Sequence, residues 1–149
     1  MTSNVDDLLL DRQLCFALYS ASRAVTRSYA PFLEPEGLTY PQYVTLLVLW
    51  ESPDEPISVG DLGHRLHLDS GTLTPLLKRL EATGLVCRER DAADERRVLI
   101  SVTPQGLALR DRLASLPRRL VERYGMPLAD IRRLRDQLTE LTGMLEDAP

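Results

Sequence analysis

The chain has 149 residues, enough for one domain whose core needs neither disulfides nor a structural metal. With 44% hydrophobic and 27% charged residues it is not a disordered chain, and it has no apolar run of about 18 residues that would span a membrane. Lys and Arg number 18 against 22 Asp and Glu, a net charge of −4 that on its own argues against a nucleic-acid binder.

The first ten residues carry two aspartates and no basic residue, so no secretory signal is expected there. Two cysteines make no disulfide framework, so the expected compartment is a reducing cytoplasm. Only one basic residue, Lys78, is a lysine; the arginine skew suits phosphates and base edges, and a high-GC coding bias gives the same skew.

Residues 11–34 read as one long helix, with Leu14, Leu18, Ala21, Val25 and Phe32 near a helical period and Pro35 and Gly37 ending it. Thr39 is placed to cap a second helix, with Pro41 in its first turn. The stretch 43–50 is apolar almost all round, as in a helix buried in a core. Ser58 with Asp61 three residues later resembles a capping box for a short helix ending near Leu66.

After a turn at 68–70, a helix is predicted from about Ser70 to Thr83, with Leu73, Leu76, Leu77 and Leu80 on one face and Gly84 just past its end. Pro75 is expected to distort that helix without breaking it. Residues 85–90 and 97–102 then read as two strands of a β-hairpin. Thr103 opens a helix to about Tyr124, residues 125–127 interrupt it, and a last helix runs from about Leu128 to Leu145.

This order is mainly α with a small antiparallel β-hairpin, and the piece 57–103 is a winged helix-turn-helix. The long helices on either side cannot bury their apolar faces on so small a core and are expected to form a dimer interface, which suits a pseudo-palindromic operator in double-stranded DNA. The expected contacts are Ser70, Thr72, Thr74, Lys78 and Arg79 on the second helix of that unit, opposite its leucine face. The hairpin tip carries Asp94, Arg96 and Arg97 as further expected DNA contacts: an arginine there can enter a narrow minor groove, and an aspartate two residues earlier can hold its side chain in place. Residues 65–97 carry seven basic and six acidic side chains, so affinity must come from geometry and from doubling by the dimer.

Cys15 lies early in the first helix, and Tyr19, four residues on, shares its face. Tyr29 is on nearly the same face but about 21 Å further along the axis, so it can reach only the Cys15 of an antiparallel partner chain, where Tyr40 can join it. That arrangement predicts an intersubunit pocket in which phenol hydroxyls support a thiolate, the form that attacks a peroxide oxygen. Phe16, Phe32 and Trp50 around it would favour an organic hydroperoxide. Spacing alone leaves a second reading open, in which Cys15 is a small buried hydrophobe. Cys87 reads as an inward-facing residue of the first hairpin strand.

The segment 10–51, with LCFALY around Cys15 and LTYPQY around Tyr40, resembles the sensor region of organic hydroperoxide resistance regulators (OhrR), a branch of the MarR family of winged-helix repressors. The likeness continues through residues 66–106, where Asp94-x-Arg96 and Thr103 match the MarR wing pattern. It implies a single MarR-type domain over 1–149: sensor and dimer helices at 11–51, the winged unit at 57–103 and dimerisation helices at 104–146. It also implies an obligate homodimer that represses a peroxidase gene, with Cys15 as the peroxidatic cysteine and Tyr29 and Tyr40, with Tyr19 nearby, as its supporting phenols. No second cysteine follows the hairpin, so the chain matches the one-cysteine type, in which a low-molecular-weight thiol caps the sulfenic acid or over-oxidation follows.

His64 and His67 have no companion ligands, so neither a metal site nor a cofactor is expected. A phosphate loop, a G-x-S-x-G motif and paired catalytic carboxylates are absent, and no enzyme is expected. Two other mechanisms compete. In one, a phenolic ligand gates a MarR-type repressor from the same pocket; in the other, the chain is a small thiol peroxidase, for which the hairpin would have no purpose.

Overall fold

The computed structural model describes residues 5–148. They fall into two compact units, divided between Arg112 and Leu113. In the first, 3₁₀ turns at Val5–Leu8 and Leu10–Arg12 precede helix α1 (Leu14–Leu33). α1 begins later than the sequence suggests because Gln13 is extended, its side-chain amide donating to the Leu9 carbonyl at 3.1 Å. The helix runs through Pro31, and a 3₁₀ turn at Glu34–Glu36 ends on Gly37 in the left-handed region (φ 69°).

Helix α2 (Tyr40–Glu51) starts at a full capping box: the Gln42 amide donates to Thr39 Oγ1, and the Thr39 amide donates to Gln42 Oε1. Gln42, Tyr43, Thr45, Leu46 and Leu49 are buried, and Thr45 satisfies its hydroxyl by donating to the Pro41 carbonyl at 2.8 Å. Burial is not all round as the apolar run suggested, because Leu47 is exposed.

A two-residue strand, β1 (Ile57–Ser58), is too short to show in a hydrophobic pattern. It leads into α3 (Val59–Leu66), capped by Ser58, whose Oγ accepts the Asp61 amide at 3.1 Å. His67 closes α3 at φ 53°. At Gly63 a Cβ would lie 2.6 Å from the Leu68 carbonyl oxygen, so only glycine lets the chain turn this tightly into the next helix. That helix, α4 (Ser70–Ala82), is capped by Asp69, whose carboxylate accepts the Thr72 amide at 2.7 Å. It continues through Pro75 and buries Leu73, Leu76, Leu77 and Leu80 as the pattern requires. Gly84, at φ 79°, ends it.

Strands β2 (Val86–Arg90) and β3 (Val98–Val102) pair antiparallel with Arg88 opposite Ile100, and β1 joins the other edge with Ile57 opposite Ile100. The hairpin is therefore part of a three-stranded sheet in the order β1-β3-β2. Val86 and Ile100 are buried, so Cys87, one residue on from Val86, lies on the opposite face of the sheet and is half-buried. This corrects the inward-facing reading of Cys87: Val86 takes the core side, and the two-residue period then excludes Cys87 from it.

Thr103 caps α5 (Pro104–Leu113), accepting the Gly106 amide at 3.1 Å and donating to the Gly84 carbonyl at 2.6 Å. The single helix expected over 104–124 is in fact two, since α6 (Leu116–Tyr124) begins anew. Pro117 is the cause: in a continuous helix its ring would meet the carbonyl of residue 113, whereas near a helix start it is tolerated. In the second unit Leu116 and Leu120 of α6 are buried, Gly125 closes the helix at φ 65°, and α7 (Leu128–Glu146) follows. α7 exposes Leu128, Leu134, Leu138, Met144 and Leu145.

Candidate nucleic-acid interface and sensor cysteine

α4 carries Ser70, Thr72, Lys78 and Arg79 exposed and Thr74 half-buried, while its leucines hold the opposite face in the core. The polar and apolar sides therefore separate as a groove-entering helix requires. Between the starts of α3 and α4 and the hairpin lies an open groove of about 470 Å³, lined by Ser58, Ser70, Thr74, Arg88, Arg96 and Arg97.

At the hairpin tip, Asp94 and Arg96 form a two-bond pair, Nε to Oδ1 at 3.1 Å and Nη2 to Oδ2 at 3.3 Å. The Asp94 carboxylate also accepts the Arg96 amide, and the side-chain bonds to Arg96 hold its carboxyl below the ordinary aspartate range. The Arg96 side chain is nonetheless 91% exposed, so it is oriented without being consumed. Arg97 is placed differently, near Asp91 (3.4 Å) and Asp61 (3.6 Å).

Arg88 and Glu81 join the site although neither stands in the sequence pattern of the groove-facing residues. The Arg88 amide donates to Glu81 Oε2 at 3.0 Å and its guanidinium stands 3.8 Å from Oε1, so the end of α4 grips β2 directly. Arg88 Nε is buried without a hydrogen-bond partner. Alternation with Val86 was the available signal, since it puts Arg88 on the inner side of the sheet.

The expected sensor residues divide into two places. Cys15 is exposed in the first turn of α1. Tyr19, also exposed, lies under the Arg23 guanidinium, 5.4 Å from the ring centroid. Tyr29 and Tyr40 meet at the corner between α1 and α2, with centroids 5.0 Å apart. Since α1 is helical throughout, Tyr29 stands about 21 Å along its axis from Cys15 of the same chain.

Tyr43, a core residue by its apolar setting, lies 5.5 Å from the Tyr29 ring and 6.3 Å from Trp50. Burial pushes its phenol above the ordinary tyrosine range, with the neighbouring Tyr40 adding to the shift, so it stays protonated. Phe16 is exposed and Phe32 half-buried. Trp50 is at the far end of α2, its indole N–H donating to the Gly106 carbonyl at 3.1 Å. Cys87 faces Glu89 at 3.7 Å; burial and then that carboxylate hold its thiol above the ordinary range.

The transcriptional regulator SarA/Rot family matches residues 27–113. The HTH-type transcriptional regulator TtmR of Methylorubrum extorquens (strain PA1) is 50% identical over 140 residues, covering 94% of this chain and 71% of that protein. The organic hydroperoxide resistance transcriptional regulator of Bacillus subtilis (strain 168) is 43% identical over 141 residues, 95% of each chain. Among solved structures, reduced AbfR bound to DNA superposes with a TM-score of 0.77 at 33% identity, covering 95% of this chain and 98% of that one; AbfR is a protein of Staphylococcus epidermidis.

The fold and these likenesses define a winged-helix transcriptional regulator of the MarR family. Within it, the chain belongs to the branch of organic hydroperoxide resistance regulators, a family of regulators and not of enzymes. Among the described residues no helix is long and apolar enough to cross a membrane.

Proposed function

We propose that two copies of this chain bind a pseudo-palindromic operator as a repressor, and that an organic hydroperoxide releases them by oxidising Cys15. The observation that carries this reading is the placement of an exposed cysteine and a tyrosine corner at opposite ends of one continuous helix. An antiparallel partner helix would bring Tyr29 of the partner subunit to Cys15, with Tyr40 of the partner subunit beside it. Phenol hydroxyls would donate to the thiolate and support the charged form. Exposed apolar side chains support a partner as well: Leu8, Leu9, Leu10, Leu14 and Phe16 around the start of α1, and separately those of α7. On this reading residues 1–149 act as one MarR-type domain with its dimer helices at both ends.

The chemistry balances simply. The Cys15 thiolate attacks one peroxide oxygen; an S–O bond forms, the O–O bond breaks, and the alcohol leaves after taking up a proton. A small cellular thiol then condenses with the sulfenic acid, forming a mixed disulfide and water. Cys87 is not needed, which makes this the one-cysteine type. The added bulk and the lost phenol bonds would repack α1 and α2 and shift the two α4 helices from operator spacing. Ser70, Thr72, Thr74, Lys78 and Arg79 would contact the major groove, and Arg96, aimed by Asp94, the minor groove.

Gel shifts on the DNA upstream of the chain's own coding sequence test this, with cumene hydroperoxide as oxidant. Wild type and Cys87→Ser should bind and be released, whereas Cys15→Ser should bind and stay bound. Ordinary release of Cys15→Ser by the peroxide would refute the mechanism and leave gating by a reversibly bound ligand.

A further inference from the structure

Arg96 and Arg97 are adjacent basic residues at the hairpin, and the structure gives them different partners. The Arg96 side chain is 91% exposed and pairs with Asp94 of its own loop. Arg97 spreads its two terminal nitrogens between two carboxylates on different elements: Nη1 is 3.4 Å from Asp91 and Nη2 is 3.6 Å from Asp61.

Both carboxylates are anchored. Asp91 is largely buried, and its amide donates to the Arg97 carbonyl at 3.0 Å. Asp61, in the first turn of α3, accepts the Ser58 hydroxyl at 2.7 Å, and Ser58 itself pairs with Leu99 of β3. The Arg97 amide meanwhile donates to the Asp94 carbonyl at 2.9 Å, closing the hairpin end.

We propose that Arg97 is a positioning residue for operator binding: it straps the hairpin to α3 through Asp61 and Asp91, so that Arg96 alone is presented to DNA. Two carboxylates stand within 4 Å of this guanidinium, so part of its charge is offset before DNA arrives. A phosphate taking Arg97 would have to displace a carboxylate and leave it facing the DNA backbone. The planar fork suits the bridge, because one ammonium cannot reach both partners in the same way. This inference rests on the operator reading above.

The test is a fluorescence-anisotropy titration of the full chain on its operator across a salt series. Arg96→Ala should weaken binding and lower the slope of log K against log salt, since it removes a cation held at the negative potential of the minor groove. Arg97→Ala should weaken binding roughly threefold to tenfold, on the scale of lost surface pairs, with the slope unchanged. Arg97→Lys should be as weak as Arg97→Ala. Asp61→Asn should also weaken binding although it removes a negative charge, and it should add nothing in the Arg97→Ala background. Tighter or unchanged binding by Asp61→Asn, or near-normal binding by Arg97→Lys, would overturn the proposal and make Arg97 a direct phosphate contact. If wild type fails to bind the operator at all, the operator reading fails instead.

Discussion

Tyr29 and Tyr40 pack edge to face, with ring centroids 5.0 Å apart and planes at 62°, across the corner where α1 gives way to α2. The corner is built from local signals: Pro35 in a 3₁₀ turn, Gly37 in the left-handed region, and the Thr39–Gln42 capping box that starts α2 beside Tyr40. The last turns of α1 are thereby folded back so that two phenols eleven residues apart share one surface. Tyr43, 5.5 Å from Tyr29, backs them from inside.

Packing and hydroxyl chemistry can be separated at this corner. Tyr40→Ala should lose the ring pair and cost about 0.5–1.5 kcal/mol beyond its burial, seen as a lower midpoint in urea. Tyr29→Phe and Tyr40→Phe should keep nearly all of that stability. If the proposed thiolate support holds, each should slow sulfenic acid formation at Cys15 under limiting cumene hydroperoxide, followed by mass spectrometry. Unchanged rates in the double Phe variant would remove the tyrosines from the sensor.

Much of this was legible in the sequence, and the exceptions share a cause. Capped helices with a strong apolar face announced themselves, as with Leu73, Leu76, Leu77 and Leu80 on α4. β1 did not, because two residues show no period and its pairing with β3 is set by contacts more than forty positions away. The break between α5 and α6 is marked only by Pro117, which a helix interior does not tolerate and a first turn does. The different settings of Arg96 and Arg97 depend on Asp61 of α3, which no local pattern brings to the hairpin. Cys15 and its surroundings are legible as spacing only, since the proposed pocket needs a second chain.

The clasp between Glu36 and Arg112 gives a pH prediction. Arg112 makes two-bond contact with Glu36, Nε to Oε1 at 3.2 Å and Nη2 to Oε2 at 2.9 Å, tying the α1–α2 corner to the end of α5. Arg112 holds the Glu36 carboxyl below its ordinary value of 4.5. A carboxylate with a depressed folded pKa contributes stability that is present above the unfolded value and is lost as pH falls through the folded one. Glu36→Gln should therefore melt below wild type at pH 7, and the gap should close as pH drops below about 4.5. A gap that stays constant from pH 7 to pH 3 would show that the clasp contributes nothing through charge.

Trp50 and Gly106 offer the sharpest stability contrast, because they meet at one carbonyl by two different mechanisms. The Trp50 indole N–H donates to the Gly106 oxygen at 3.1 Å, so Trp50→Phe keeps most of the ring against Tyr43 and removes one hydrogen bond from a carbonyl that the α5 helix still pairs. That loss is about 0.5–1.5 kcal/mol. At Gly106 itself a Cβ would run into the Leu85 carbonyl oxygen and lie 2.6 Å from a Val102 methyl group. The methyl group can shift, but the Leu85 carbonyl cannot easily do so, because it accepts the Thr103 amide at 3.1 Å next to the β2–β3 pairing. Gly106→Ala should therefore cost more than Trp50→Phe, about 3 kcal/mol or above, even though alanine is the better helix former. Urea unfolding followed by far-UV circular dichroism measures both variants on one scale. A Gly106→Ala variant as stable as wild type would mean that α5 can lift away from Leu85 without loss, and that the joint between the hairpin and α5 is not the rigid element described above.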